Sequence, residues 1–566
     1  MKTKFYSALL GAACTLFFAA SINAAPVVTI FAGSSGALES FGVAATVSPV
    51  CGNATNFWSQ GSTALNGGQD ANGSPLEKGT LWIAYDGAAN GSTATHICAY
   101  LSVDSVVGNR LFFSTGPGGT RSTLQLGGGL ASGNKIPQVP DTVNPLPAAI
   151  QADVTGQQIT AGVSDIRPED AEFVMNRTRN SLGWGGNPIC SAFTATSAQT
   201  IAFTIAGNDP NSGVAVPAYS AINVGAYPVI FFYNKTGAGA EDLGTLKPTD
   251  INSHNIAAIW GGLTGQTTDL GHFAAGTYDI GGGPAPGGNP LVVLVREPIS
   301  GTYNTVNFQT VHDAGTALDQ ETIFPAPVAN ACGGPFYGAG LTSPSGNPSF
   351  FTTAKGTSYA RGIGTGEVVK QAGLINNAVG YGFWSFSTYA GTAATLNYLT
   401  VDGVDPLQTA PTGGSFPQCV AGVCPVLPLT GVQNGSYRVW NIIRVITSPA
   451  QAAAGANVSS FVVSAQNQTV APTANPVTDF VPFVANGKQN LSVFRSHYTA
   501  PSLSGLGVTP VCTATTNINS PVNGPVPAGL VGCPEGGGDM AGVVLTWSAD
   551  IDAYLLSGAE LINLIQ

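Results

Sequence analysis

Three short apolar runs most constrain what this chain can become: residues 27–31 (VVTIF), 228–233 (PVIFFY) and 291–295 (LVVLV). Each falls far below the roughly 18 consecutive apolar residues of a membrane-spanning helix, as does every later segment. None alternates with polar residues as a half-solvated strand does. A strand that is apolar on both faces needs cover on both, which a parallel sheet flanked by helices provides. The first run stops at Gly33-Ser34-Ser35-Gly36, and residues 37–45 can continue as a helix. Residues 250–260 fit a second helix with Ile251, Ile256, Ile259 and Trp260 inward, closed by Gly261-Gly262. Residues 364–374 read as helix, while 378–384 and 437–445 read as strands. Alternation of this kind predicts an α/β fold.

Around these runs the chain is rich in glycine. Residues 50–160, including Gly127-Gly128-Gly129, predict β-hairpins and loops decorating the core; 271–288 predicts a Gly-rich loop and 550–565 a terminal helix. Only 49 of 566 residues are charged, 19 basic against 30 acidic, and 44% are hydrophobic. That excludes a disordered solvating chain and argues against nucleic acid as a partner, since binders of nucleic acid carry a basic surplus.

The N-terminus predicts export. Lys2 and Lys4 precede an apolar stretch over 5–20, and small Ala24 marks the expected cleavage site, so residues 1–24 read as a signal peptide. The mature chain then carries 17 basic and 30 acidic residues, a formal charge of −13. It retains eight cysteines: Cys51, Cys98, Cys190, Cys332, Cys419, Cys424, Cys512 and Cys533. An even number in an exported chain predicts four disulfides, although eight cysteines allow 105 pairings. The pairs closest in sequence, 419 with 424 and 512 with 533, are the first expected. The five histidines never fall three to five residues apart, so no zinc site or other cofactor is expected. No GxSxG elbow, P-loop or full GxGxxG is present, and no nucleophile and base pair can be named, so the chain does not read as an enzyme.

Chemistry concentrates where predicted strands end. Arg296 follows the run at 291–295, and Ser300, Gly301 and Thr302 open the next helix; free N–H groups, hydroxyls and a guanidinium fork at one spot suit an oxyanion. The same residues would also serve as a simple helix cap beside a surface arginine. Residues 33–37 repeat the pattern of strand, turn and helix start, and 162–168 (GVSDIRP) end a third strand with Asp165 before another helix. In open α/β sheets ligands collect beyond the carboxyl ends of strands, where all three segments lie. The turn at 362–366 (GIGTG) opens a further helix within reach of the same spot.

Seven segments in this order carry a resemblance: GSSGA (33–37), YDGAANGS (85–92), GVSDIRP (162–168), YPVIFFYNK (227–235), LKPTDINSHNIAAIWGG (246–262), VREPISGT (295–302) and NAVGYGFW (377–384). The chain resembles the phosphate-binding proteins of ABC importers, in the type 2 periplasmic binding protein family, over roughly residues 27–400. The arginine followed four residues later by Ser-Gly-Thr is the most specific element. The resemblance implies a two-lobed α/β clamp with β-rich insertions: 25–226 in the first lobe, 227–385 in the second, and 386–566 returning to the first with a C-terminal extension. The crossing strands fall near 227–233 and 379–383. It implies Arg296, Ser300, Gly301 and Thr302 on one side of a tetrahedral oxyanion, and Ser35, Gly36, Ala37, Leu38, Ser92 and Asp165 on the other. Asp165 would accept the proton of hydrogen phosphate and reject sulfate, which has none to give. Ala37 stands where the family usually offers a threonine, and the stretch between Ser92 and Asp165 is longer than usual. The implied partners are inorganic phosphate or a similar oxyanion and an ABC importer membrane complex; the implied location is periplasmic or extracellular.

A second reading from a different class is a secreted structural or adhesive matrix protein with a vestigial site, which the sparse charge and Gly-rich loops also suit. An extracellular hydrolase on the same scaffold is the third.

Overall fold

The computed structural model describes residues 25–61, 68–69, 71, 79–127, 130–168, 171–172, 203–239, 242–261, 291–296, 300–307, 310, 320, 351–352, 358–362, 364–421, 423–470, 476–486, 488–489, 491, 493–497, 533–535 and 554–555. The expected signal segment, the loop at 271–288 and Cys190, Cys332 and Cys512 lie outside them. The principal strands are β1 (Val27–Ser34), β2 (Asn56–Gln60), β3 (Thr80–Tyr85), β4 (His96–Val103), β5 (Ala161–Ser164), β6 (Ser220–Asn234), β7 (Val292–Arg296), β8 (Ser358–Gly362), β9 (Ala378–Phe383) and β10 (Trp440–Thr447). The principal helices are α1 (Leu38–Val47), α2 (Ser105–Phe113), α3 (Ser253–Trp260), α4 (Gly301–Val306), α5 (Thr365–Leu374) and α6 (Asn457–Asn467).

The fold is α/β, built on one large mixed sheet in the order β8-β7-β9-β6-β10-β5-β1-β4-β3-β2, with Phe351–Thr352 beyond β8. It contains two parallel sets. In the first set β1 lies parallel between β4 and β5; in the second, β7 lies parallel between β8 and β9. The runs at 27–31 and 291–295 are the central strands of these sets, and β7 is buried along its whole length, the arrangement that cover on both faces requires. Strand β6 joins the sets: it pairs antiparallel with β10 up to Pro228 and with β9 from Val229 onward. After β9 the chain touches the first set, where the Phe386 N–H donates to Asp479 Oδ1 (3.1 Å) and the Ser387 N–H to Glu39 Oε2 (2.6 Å), and then adds to the second, Leu396–Tyr398 pairing antiparallel with residues 232–234 and Thr400–Val401 parallel with Asp250–Ile251.

Each lobe has an aromatic core. In the first, the Phe31 ring lies 4.6 Å from that of Phe461 on α6 and 5.5 Å from that of Phe41 on α1. In the second, Trp260 of α3 sits 5.1 Å from Phe231 and 5.6 Å from Tyr381. Pairs of this geometry add about 0.5–1.5 kcal/mol each beyond area burial. Close backbone contact docks α2. A Cβ on Gly108 would lie 2.6 Å from the Gly33 Cα and 2.8 Å from the Ala32 and Val163 carbonyl oxygens, so only glycine lets α2 rest on β1 and β5.

Two expectations from sequence are corrected. Within 50–160, β2, β3, β4 and α2 are parts of the main sheet and its cover rather than decoration. Ile97–Val103 are all buried, and the polar loops on either side had masked a core strand. Of the helix expected over 550–565 only Tyr554–Leu555 are described, and these two are extended, pairing antiparallel with Phe494 and Val493. Among the cysteines, Cys419–Cys424 is bonded as expected, and Cys98 of β4 is bonded to Cys51 beyond α1. No helix among the described residues is long and apolar enough to cross a membrane.

Candidate functional site

Each parallel strand ends toward the junction between the two sets, and the residues that follow face one another. Beyond β1 come Ser35 to Leu38, beyond β4 Asp104 and Ser105, and beyond β5 Asp165. Across the junction stand Arg296 at the end of β7, Ser300 to Thr302 at the start of α4, and Gly364-Thr365 beyond β8.

Arg296 is buried and multiply held. Its Nη1 donates to Thr302 Oγ1 (3.2 Å) and to Thr365 Oγ1, its Nη2 donates to Asp104 Oδ1 (3.1 Å), and its backbone N–H donates to the Tyr381 hydroxyl (3.3 Å). The Arg296–Asp104 pair joins the two lobes with 1% and 6% of the side chains exposed. Ser300 caps α4, its Oγ accepting the Tyr303 N–H at 3.4 Å.

Asp165 is buried and accepts the Ser105 hydroxyl. It also lies against α4: a Cβ built on Gly301 would fall 1.6 Å from Asp165 Oδ1, so any side chain at 301 would expel the carboxylate. Asp165, beyond the first parallel set, and the α4 start that follows Arg296, beyond the second, are therefore in contact across the junction. Burial raises the Asp165 carboxyl to about 6, against the Ser105 hydrogen bond and the positive charges of Arg296 and Arg444. The cause is the loss of water around the anionic form.

The first-turn residues divide. Ser35 and Leu38 line a half-open cleft of about 340 Å³ that also reaches Asp104 and Thr365. Gly36 and Ala37 are buried beneath it, the Gly36 N–H donating to Ser34 Oγ at 3.3 Å. Ser92 is not brought to the junction. It lies exposed in the turn between β3 and β4, where its N–H and hydroxyl donate to Asn90 Oδ1 at 3.1 and 2.8 Å. The reason is strand direction. Because β3 is antiparallel to β4, the turn after β3 sits at the opposite end of the sheet. Ser105, opening the helix after the parallel strand β4, takes the place expected for Ser92.

Sequence reasoning also missed Asp104 and Arg444. Arg444 is a buried arginine inside the otherwise apolar β10 (WNIIRVIT), level with Ser164 in the register, and its Nη1 donates to the Ile442 carbonyl (3.1 Å). A charge in such a run was the available signal. Beside the cleft, Glu39 and Asp479 hold the returning chain as a buried acid pair; burial raises Glu39 to about 7 and Asp479 well above the usual carboxylate range. No group of three or more His, Cys, Asp or Glu suited to a metal occurs among the described residues.

No protein-family model matches the chain, and no curated protein matches it. Several solved structures are similar. A substrate-binding protein with bound phosphate from Clostridium perfringens, assigned to a phosphate ABC transporter, aligns at 16% identity over 44% of this chain and 65% of that one, with a TM-score of 0.24. PstS from Borrelia burgdorferi aligns at 14% identity over 45% and 67%, also with a TM-score of 0.24. A human phosphate-binding apolipoprotein aligns at 13% identity over 60% and 88%, with a TM-score of 0.25. The chain thus spans about two thirds of the length of the two bacterial proteins.

Proposed function

We propose that the chain is an exported solute-binding protein whose two lobes close on a tetrahedral oxyanion, with phosphate as the ligand. In this reading the lobes comprise 25–226 and 227–385, with 396–401 adding to the second and 386–566 otherwise returning to the first. The observation that carries it is the meeting of Asp165 with the Arg296, Gly301 and Thr302 cluster across the lobe junction.

The chemistry follows from the donor set. Arg296 and the hydroxyls of Thr302 and Thr365 donate to anionic oxygens, and charge-assisted bonds of this kind are about twice as strong as neutral ones. Asp165 accepts, so it favours a ligand that keeps a proton and penalises one that presents only negative oxygen. At a formal mature charge of −13 the long-range field repels an anion. Attraction is local, from Arg296 and Arg444 in a site that excludes water. A protein of this type delivers its anion to a membrane importer of the ABC class or sequesters it.

Calorimetric titration of dialysed protein with phosphate, arsenate and sulfate tests the reading. Phosphate and arsenate are expected to bind and sulfate to bind far more weakly. Absence of binding by all three, together with assembly into filaments or sheets, would refute it and leave the structural-matrix reading in its place.

A further inference from the structure

The cleft beside the Arg296 cluster is larger than an inorganic anion needs. Its volume of about 340 Å³ lies within the range of roughly 300–1,000 Å³ typical of pockets that take small organic molecules. It is continuous with the anion site, because two of its lining residues, Asp104 and Thr365, are themselves partners of the Arg296 guanidinium.

The lining is polar in a specific way. Six residues that carry hydroxyls line it, Ser35, Thr80, Ser102, Thr365, Ser387 and Thr388, drawn from both sides of the junction. Among the described residues of the lining, Leu38 and Val103 are the only large apolar ones and none is aromatic. The described lining thus favours a polar arm over a nucleobase, which needs a stacking platform, or an acyl chain, which needs apolar cover. At the mouth, Lys135 and Glu367 bring one charge of each sign, and Glu367 Oε1 is steadied by the Gln371 amide at 3.0 Å. Hydroxyls flanked by a carboxylate and an ammonium match a ligand that itself carries several hydroxyls, each able to donate and accept.

We propose that the ligand is a phosphate monoester of a small polyol or sugar, its phosphoryl group held at Arg296 and Asp165 and its hydroxylated arm in this cleft. This rests on the oxyanion-binding reading and extends it. A singly protonated monoester still presents the one P–OH that Asp165 accepts, and its ester oxygen leaves toward Thr365 and the cleft.

Titration calorimetry on the full chain with inorganic phosphate, glycerol 3-phosphate and glucose 1-phosphate is the test. At least one ester is expected to bind tenfold or more tighter than phosphate. In Thr80→Phe, which fills the cleft, the ratio of ester to phosphate affinity is expected to fall to about one; the ratio is unaffected by a general loss of binding. Phosphate binding as tight as or tighter than both esters, or a ratio unchanged in Thr80→Phe, overturns the proposal and leaves the oxyanion reading intact. Binding of none of the three overturns both.

Discussion

Replacing Arg296 by alanine does two separable things, because this one side chain faces both the proposed anion site and Asp104. Breaking a buried ion pair by removing one partner leaves the other charge uncompensated, at a cost of about 3–5 kcal/mol. With the Asp104 side chain only 6% exposed, water replaces the guanidinium poorly. For a unit the size of one lobe that lowers Tm by roughly 6–20 °C. Anion affinity falls independently: loss of a buried, hydrogen-bonded charge partner costs about 2–5 kcal/mol, a weakening of roughly 30-fold to several thousand-fold. Arg296→Lys recovers part of this, since a point charge cannot reach Thr302, Thr365 and Asp104 together. Thermal melts with and without phosphate, on wild type, Arg296→Ala and Arg296→Ala with Asp104→Ala, separate the two effects. The double variant is expected to regain most of the lost stability and none of the ligand-induced rise in Tm. Equal ligand-induced shifts in wild type and Arg296→Ala would remove Arg296 from the site. A double variant as unstable as the single one would refute the account of the interlobe pair.

Five further outcomes are expected. Burial raises the Asp165 carboxyl to about 6, so the folded chain holds that proton more tightly than the unfolded chain and loses stability as pH rises from about 4 to 6; Asp165→Asn escapes this, gaining up to about 3 kcal/mol above pH 6 and nothing near pH 4 in melts. The same variant admits sulfate relative to phosphate in calorimetry, whereas an unchanged preference would reduce Asp165 to a structural role. Glu39, raised to about 7, acts with the same sign over about pH 4.5 to 7, so Glu39→Gln is expected to stabilise at pH 8 and not at pH 4, and an equal effect at both would refute it. Finally, the bond between Cys51 and Cys98 closes a 47-residue separation; Cys98→Ser is expected to cost about 2–4 kcal/mol in denaturant unfolding. Non-reducing mass spectrometry should find no free thiol among the eight mature cysteines, two or more counting against full pairing.

Much of the site was legible because its parts are local. A strand ending in Arg296 and a helix opening at Ser300 lie within a dozen residues, and the apolar run before them announces the strand. Asp165 is equally local, a carboxylate placed immediately after a buried strand. The acid pair of Glu39 and Asp479 was not legible, since its members lie on segments far apart in the chain and only their meeting shifts their protonation.

The sequence alone determined the elements. Runs such as VVTIF and LVVLV can satisfy their two apolar faces only inside a covered sheet. Only the tertiary structure decided which strands are neighbours and which way each runs. That choice moved the expected serine from Ser92 to Ser105, because reversing one strand sends its following turn to the far end of the sheet. It also set Asp104 on Arg296 and Arg444 near Asp165, contacts between lobes and between distant strands. Short-range pattern reads dihedral preference and burial, both carried residue by residue. Sheet order is the outcome of competition among all strands for the same hydrogen bonds, and no single segment contains it.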